Sequence, residues 1–125
     1  MRRGNVLVID DDDLARMAIV SLLSRAGYHA LGMASPIGAT RAIRDHDIAA
    51  VVCDLNMPAM RGDALVRVLR NSHSLRAVRL LLVSATPRED PSLRTVEGGP
   101  DAVIHKGDLE AELVPRLRAV LGEAR

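Results

Sequence analysis

The side chains with the most chemical reach in this 125-residue chain are acidic. Asp10-Asp11-Asp12-Asp13 follow the apolar run Val6-Leu7-Val8-Ile9, and Asp54 closes a second run, Ile48 to Cys53. Ser84 ends the stretch that begins at Val78, and Lys106 comes just after Ala102-Val103-Ile104. Of 17 basic side chains all but Lys106 are arginine, so a lone lysine invites a specific explanation. Carboxylates gathered in one place raise each other's pKa unless a cation sits among them. A hard divalent ion answers that need, and Mg²⁺ (or Mn²⁺) suits a site of few protein oxygens plus water and phosphate. A carboxylate can also be the nucleophile and become an aspartyl-phosphate. The ion, a lysine ammonium and a hydroxyl would then share the charge on the transferred oxygens. These residue types point to metal-assisted phosphoryl transfer.

Taken singly, each part has a plainer reading. Four aspartates in a row are more often a solvated segment or a helix cap, and Asp54 could be only a turn former ahead of Met57-Pro58. Serines at strand ends are mostly loop residues. What lifts the chemical reading is whether the elements bring the four places together.

Short apolar runs alternate with helix-period segments along the whole length. The pattern predicts strands at Val6–Ile9, Tyr28–Met33, Ile48–Cys53, Val78–Val83 and Ala102–Ile104. A helix is predicted from Leu14 to Ala26, with Ile19, Leu22, Leu23 and Ala26 on its apolar face, Asp12 or Asp13 capping its start and Gly27 stopping it. Ser35-Pro36 has the cap and first-turn chemistry of a second helix running to about His46. A third, from about Asp63 to Arg70, turns Leu65, Val68 and Leu69 inward. A short fourth is expected between Asp90-Pro91 and Gly98-Gly99-Pro100. Asp108 is expected to cap a fifth whose Leu113, Leu117, Val120 and Leu121 face the core.

Five β-α units with apolar strands imply a parallel sheet covered on both faces. The expected fold is α/β, a three-layer doubly wound sandwich of the flavodoxin-like kind with strand order 2-1-3-4-5, in one domain over residues 1–125. Such a sheet places its site beyond the carboxyl ends of its strands, where strand order reverses. Asp10 and Asp11, Asp54, Ser84 and Lys106 all fall on that edge.

Composition sets limits. With 48% hydrophobic residues the chain can bury a core without staples, although Tyr28 is its one aromatic residue. A formal charge of +1 makes no case for nucleic acid or a membrane surface, and Arg116, Arg118 and Arg125 read as a solvated helix face. One cysteine, Cys53, forms no internal disulfide and is expected to pack as a small hydrophobe. The expectation is a cytoplasmic protein without a signal peptide or bilayer-spanning segment.

The motifs Val-Leu-Val-Ile-Asp-Asp-Asp at 6–12 with Arg16, Asp54-Leu-Asn-Met-Pro-Ala-Met-Arg-Gly62, Ser84-Ala85 and Lys106 occur in order over residues 5 to 121. In them the chain resembles a response-regulator receiver domain, the phosphoacceptor module of bacterial two-component signalling. The resemblance implies that Asp54 takes a phosphoryl group from a histidine kinase or phosphotransfer protein. It implies Mg²⁺ held by Asp11, Asp54 and the backbone carbonyl of Asn56, with Asp10 acting through a water. Lys106 would pair with a phosphoryl oxygen, and Ser84 would move to hydrogen-bond the group and start a conformational switch. Asn56 and Thr86 fall where the family tunes phosphoryl lifetime. The output would be a downstream protein or a covalently linked domain, with homodimerisation expected through the helix 4, strand 5, helix 5 face. The resemblance implies a phosphoacceptor that catalyses its own Asp phosphorylation and dephosphorylation rather than a conventional metabolic enzyme.

Four departures from the family pattern lie in that output half. Val103 stands where the family commonly has a switching Tyr or Phe, and Gly107 where proline commonly follows the lysine. The fourth helix is clipped, and Pro115 falls inside the fifth. They motivate a second reading, a phosphorylation-independent interaction module with a receiver fold. The complete Asp10, Asp11, Asp54, Ser84, Lys106 set opposes it. A phosphatase using Asp54 and Asn56 as an Asp-x-Asn nucleophile motif is a third reading, disfavoured by the motif's place in the chain and by a length that leaves little for a cap domain.

Overall fold

A computed structural model of the chain describes residues 4–55, 62–85 and 99–123. The strands are β1 (Asn5–Ile9), β2 (His29–Met33), β3 (Ala50–Asp54), β4 (Arg79–Ser84) and β5 (Ala102–His105). The α-helices among the described residues are α1 (Asp13–Arg25), α2 (Ala39–Asp45), α3 (Gly62–Asn71) and α4 (Leu109–Leu121). All strand pairs are parallel and the sheet order is β2-β1-β3-β4-β5, as expected for the flavodoxin-like sandwich. The expected helix between Asp90 and Gly98 lies outside the described residues.

Because successive strand side chains point to opposite faces, each strand feeds two cores. Leu7, Ile9, Val51, Cys53, Leu80 and Leu82 meet Ile43 of α2 and Leu65 and Leu69 of α3 on one face. Val6, Val8, Val52, Leu81, Val83 and Ile104 meet Ile19 and Leu23 of α1 and Leu113 and Leu117 of α4 on the other. Nearly every one is sealed from solvent, so the sheet is the rigid plate on which the strand ends are mounted.

Local details depart from the sequence reading in three places. Ser35 accepts a hydrogen bond from the Ile37 N–H and shapes a turn, while α2 starts only after Gly38, whose φ of 86° breaks the chain direction. In α3 the inward residues are Leu65, Val66 and Leu69, and Val68 is 42% exposed. At 100° per residue Val68 falls well outside the stripe those three define. Asp108 makes no side-chain cap to α4. The chain instead enters through a 3₁₀ turn, Lys106–Asp108, capped by the His105 ring, whose Nδ1 accepts from the Gly107 N–H at 3.3 Å. Pro115 sits within α4, as the sequence places it, on the exposed side, and has no N–H to offer the carbonyl of Ala111, also exposed. Asp12 caps α1 as expected, its carboxylate accepting from the Ala15 N–H.

Candidate functional site

β1 and β3 are neighbours, and their connections leave in opposite directions, so a crevice opens past their carboxyl ends. Asp54 ends β3 and Asp10 follows β1 directly, both buried; Asp11, on the next turn, is exposed. One carboxylate oxygen of each of the three lies within 4.8 Å of the others. From across the sheet Lys106 sets its Nζ 3.5 Å from Asp54 Oδ2. Ser84, fully buried, closes β4 in register with His105 of β5. Asn56 and Thr86, the remaining predicted site positions, lie outside the described residues. The structure thus brings Asp10, Asp11 and Asp54 together, pairs Lys106 with Asp54, and mounts Ser84 on the same sheet edge.

The electrostatics follow from burial. Loss of solvent pushes the Asp10 carboxyl above its ordinary value; the Asp12 N–H bond pulls it back, Asp54 pushes it up, Lys106 lowers it and Asp11 raises it. Asp10 Oδ1 accepts from the Asp12 N–H at 2.9 Å, whereas its buried Oδ2 has no hydrogen-bond partner among the described residues. Three hard oxygen donors and an orphaned buried carboxylate oxygen fit a divalent cation such as Mg²⁺. Cys53 points into the core and its thiol is pushed up to about 12 by burial, then by Asp54 and Asp10, which suits the inert role expected for it.

Val103, at the position of the missing ring, is half-buried beside Leu82 and packs on the core. Two polar groups near the site were not legible in advance. The His105 ring accepts from the Gly107 N–H, a bond across two residues of backbone that no spacing rule marks. Arg16 was only a motif position; it donates to the Asp10 carbonyl at 2.8 Å.

A doubly wound parallel sheet carrying clustered carboxylates, a serine and a lysine at its switch point is the architecture of receiver modules. The chain belongs to the response regulator receiver domain family, whose model matches residues 6–118, and such domains serve two-component signalling. It is 30% identical over 116 residues to the phosphate regulon transcriptional regulatory protein PhoB of Pseudomonas aeruginosa, covering 93% of this chain and 51% of PhoB. It is 22% identical to the polar-differentiation response regulator DivK of Brucella ovis, over 96% of this chain and 98% of DivK. The chain therefore spans about half the length of PhoB and nearly all of DivK. Among solved structures it is similar to a CheY-like response regulator receiver domain from Methylobacillus flagellatus, with TM-score 0.78 and 26% identity over 94% of this chain and 98% of that one. The chemotaxis protein CheY4 of Vibrio cholerae shares the fold, with TM-score 0.82 and 21% identity over 94% of this chain and 98% of that one.

Proposed function

We propose that this chain accepts a phosphoryl group on Asp54 from a phosphohistidine of a kinase or phosphotransfer protein. Asp11, Asp54 and the Asn56 backbone carbonyl would hold Mg²⁺ (or Mn²⁺), with Asp10 in its outer shell. The observation that carries this reading is the approach of the Asp10, Asp11 and Asp54 oxygens to within 4.8 Å, with Lys106 Nζ 3.5 Å from Asp54. When bound, the ion would supply the positive charge that offsets these carboxylates and the oxygens in transfer.

The chain's own residues do the rest. An Asp54 oxygen forms a bond to phosphorus as the P–N bond breaks, and the bond pair stays on the imidazole nitrogen. Lys106, already paired with Asp54, moves its charge to the phosphoryl oxygens. The Ser84 hydroxyl donates to the phosphoryl group, drawing the backbone after β4 toward Asp54. With Val103 in place of a ring, the readout passes through Ser84 and the movement of the loop behind it rather than through an aromatic side chain. The downstream element is a separate protein or a linked output domain, and the face around β5 and α4 is the candidate surface for it and for a homodimer.

Incubation with Mg²⁺ and acetyl phosphate, followed by intact mass measurement, tests the reading. One phosphoryl adduct is expected on the parent chain and none on Asp54→Asn. No adduct, either with this donor or with a phosphorylated phosphotransfer protein, would leave a receiver fold that works without phosphorylation.

A further inference from the structure

We propose that Arg16 is a positioning residue for the cation site, and that Gly32 is the seat that lets it work. The inference rests on the Mg²⁺ reading of the Asp10, Asp11 and Asp54 cluster. Asp10 has four polar atoms. Its N–H donates to the Met33 carbonyl at 3.1 Å, and its Oδ1 accepts from the Asp12 N–H at 2.9 Å. Its carbonyl accepts from Arg16 Nη1 at 2.8 Å. The fourth atom, Oδ2, is the buried one without a protein partner among the described residues. The same guanidinium reaches Asp13 Oδ1 through Nη2 at 2.6 Å, so one rigid fork spans the turn from Asp10 to Asp13 that carries Asp11.

Two features say that this placement is built rather than incidental. A cation in the first turn of a helix opposes the helix dipole, and the Asp13 pair offsets that cost but does not call for the further bond to the Asp10 carbonyl. Its stem also lies on bare backbone: a Cβ at Gly32 would meet Arg16 Cδ at 3.1 Å and Cγ at 3.3 Å. Gly32 is not among the residues with positive φ, so its backbone does not call for glycine, and glycine weakens a strand interior. The space over Gly32 is what the Arg16 stem occupies.

The sign of the effect separates positioning from simple charge. Arg16 is a like charge near a cation, so if only its field mattered, Arg16→Ala would tighten Mg²⁺ binding. If it holds the Asp10–Asp13 turn in place, the same change weakens binding, on the order of tenfold. Gly32→Ala removes no charge and no hydrogen-bonding atom, yet it should weaken Mg²⁺ in the same direction by pushing the stem off its seat.

The experiment is calorimetric titration of Mg²⁺ into the parent, Arg16→Ala, Arg16→Lys, Gly32→Ala and the Arg16→Ala/Gly32→Ala double variant, with Asp11→Asn as the null. Circular dichroism would establish that each variant is folded, and Gly32→Ala carries the test if the arginine variants do not fold. Expected are weaker binding in both single alanine variants, an intermediate affinity for Arg16→Lys, and a double variant no weaker than Arg16→Ala. Parent-like or tighter binding by Arg16→Ala overturns the positioning role, and additive losses in the double variant overturn the seat. A parent that does not bind Mg²⁺ overturns the cation reading and this inference with it.

Discussion

Asp10, proposed above to serve the cation site, shows how a buried carboxylate can cost the fold stability. It is fully buried, and burial pushes its carboxyl above the ordinary 3.8. Between those two values the folded chain holds more protons than the unfolded one, so stability falls as pH rises through that window. At neutral pH without divalent ions, Asp10→Asn removes a buried charge whose Oδ2 has no hydrogen-bond partner among the described residues, and should stabilise the protein by about 1 kcal/mol, roughly 3–6 °C in melting temperature. Adding Mg²⁺ should raise the parent's melting temperature and leave the variant's largely unmoved. Melting curves in chelator and in Mg²⁺ would check both. Cys53 is the opposite case, a titratable group with no task. Its thiol is pushed from 9.0 up to about 12, so it stays protonated where an unfolded thiol ionises, and stability falls as pH climbs above about 9. At pH 8 a thiol reagent should modify the native chain only at the rate of unfolding, and modify it at once in denaturant.

Among the elements, α3, β4 and the approach to β5 are tied by one arginine. Arg70 Nη2 bonds Asp101 Oδ2 at 2.7 Å, Nη1 donates to the carbonyls of Arg76 and Val78, and Nε to that of Gly99. Asp101 Oδ2 also accepts from the Leu80 N–H at 2.8 Å. Removing the guanidinium takes a donor from the carbonyls of Arg76, Val78 and Gly99 at once and leaves Asp101 with the Leu80 N–H and the 3.5 Å contact to Arg79. Arg70→Ala should cost about 2–3 kcal/mol in urea unfolding, more than an exposed pair such as Arg41–Asp45. The last helix carries the reverse opportunity. Pro115 is exposed and interrupts the α4 ladder, so Pro115→Ala restores an amide and should add about 2 kcal/mol by the same measurement. A stabilisation near zero would mean that α4 already relieves the proline elsewhere.

At the scale of the whole molecule, the site edge and the face proposed for output share β4 and β5. Ser84 lies opposite His105, and Val103 opposite Leu82, so a movement that starts at Ser84 meets β5 directly. Structures with and without a beryllofluoride phosphoryl mimic should differ at Ser84 and in the backbone that follows it, while Val103 keeps its place against the core. A face around β5 and α4 that is identical in both would end the proposal that output leaves by that route.

The sequence by itself determined the layers, the strand order and which side chains reach the carboxyl edge of the sheet. Apolar runs, helix periodicity and the carboxyl-end rule are local or topological, and they carried Asp10, Asp11, Asp54, Ser84 and Lys106 to one rim. It missed where local signals compete. Ser35-Pro36 reads as a helix start, but Gly38 in its left-handed conformation delays the helix. Val68 fits an i, i+3 spacing from Leu65, yet the sheet takes Val66 instead. Only the tertiary structure decided what holds Asp10. The bonds from Arg16 and to Met33, and the bare backbone at Gly32, join three separate stretches of chain. No period or motif records that meeting, because side-chain contacts between elements depend on packing distances that spacing along one element does not set.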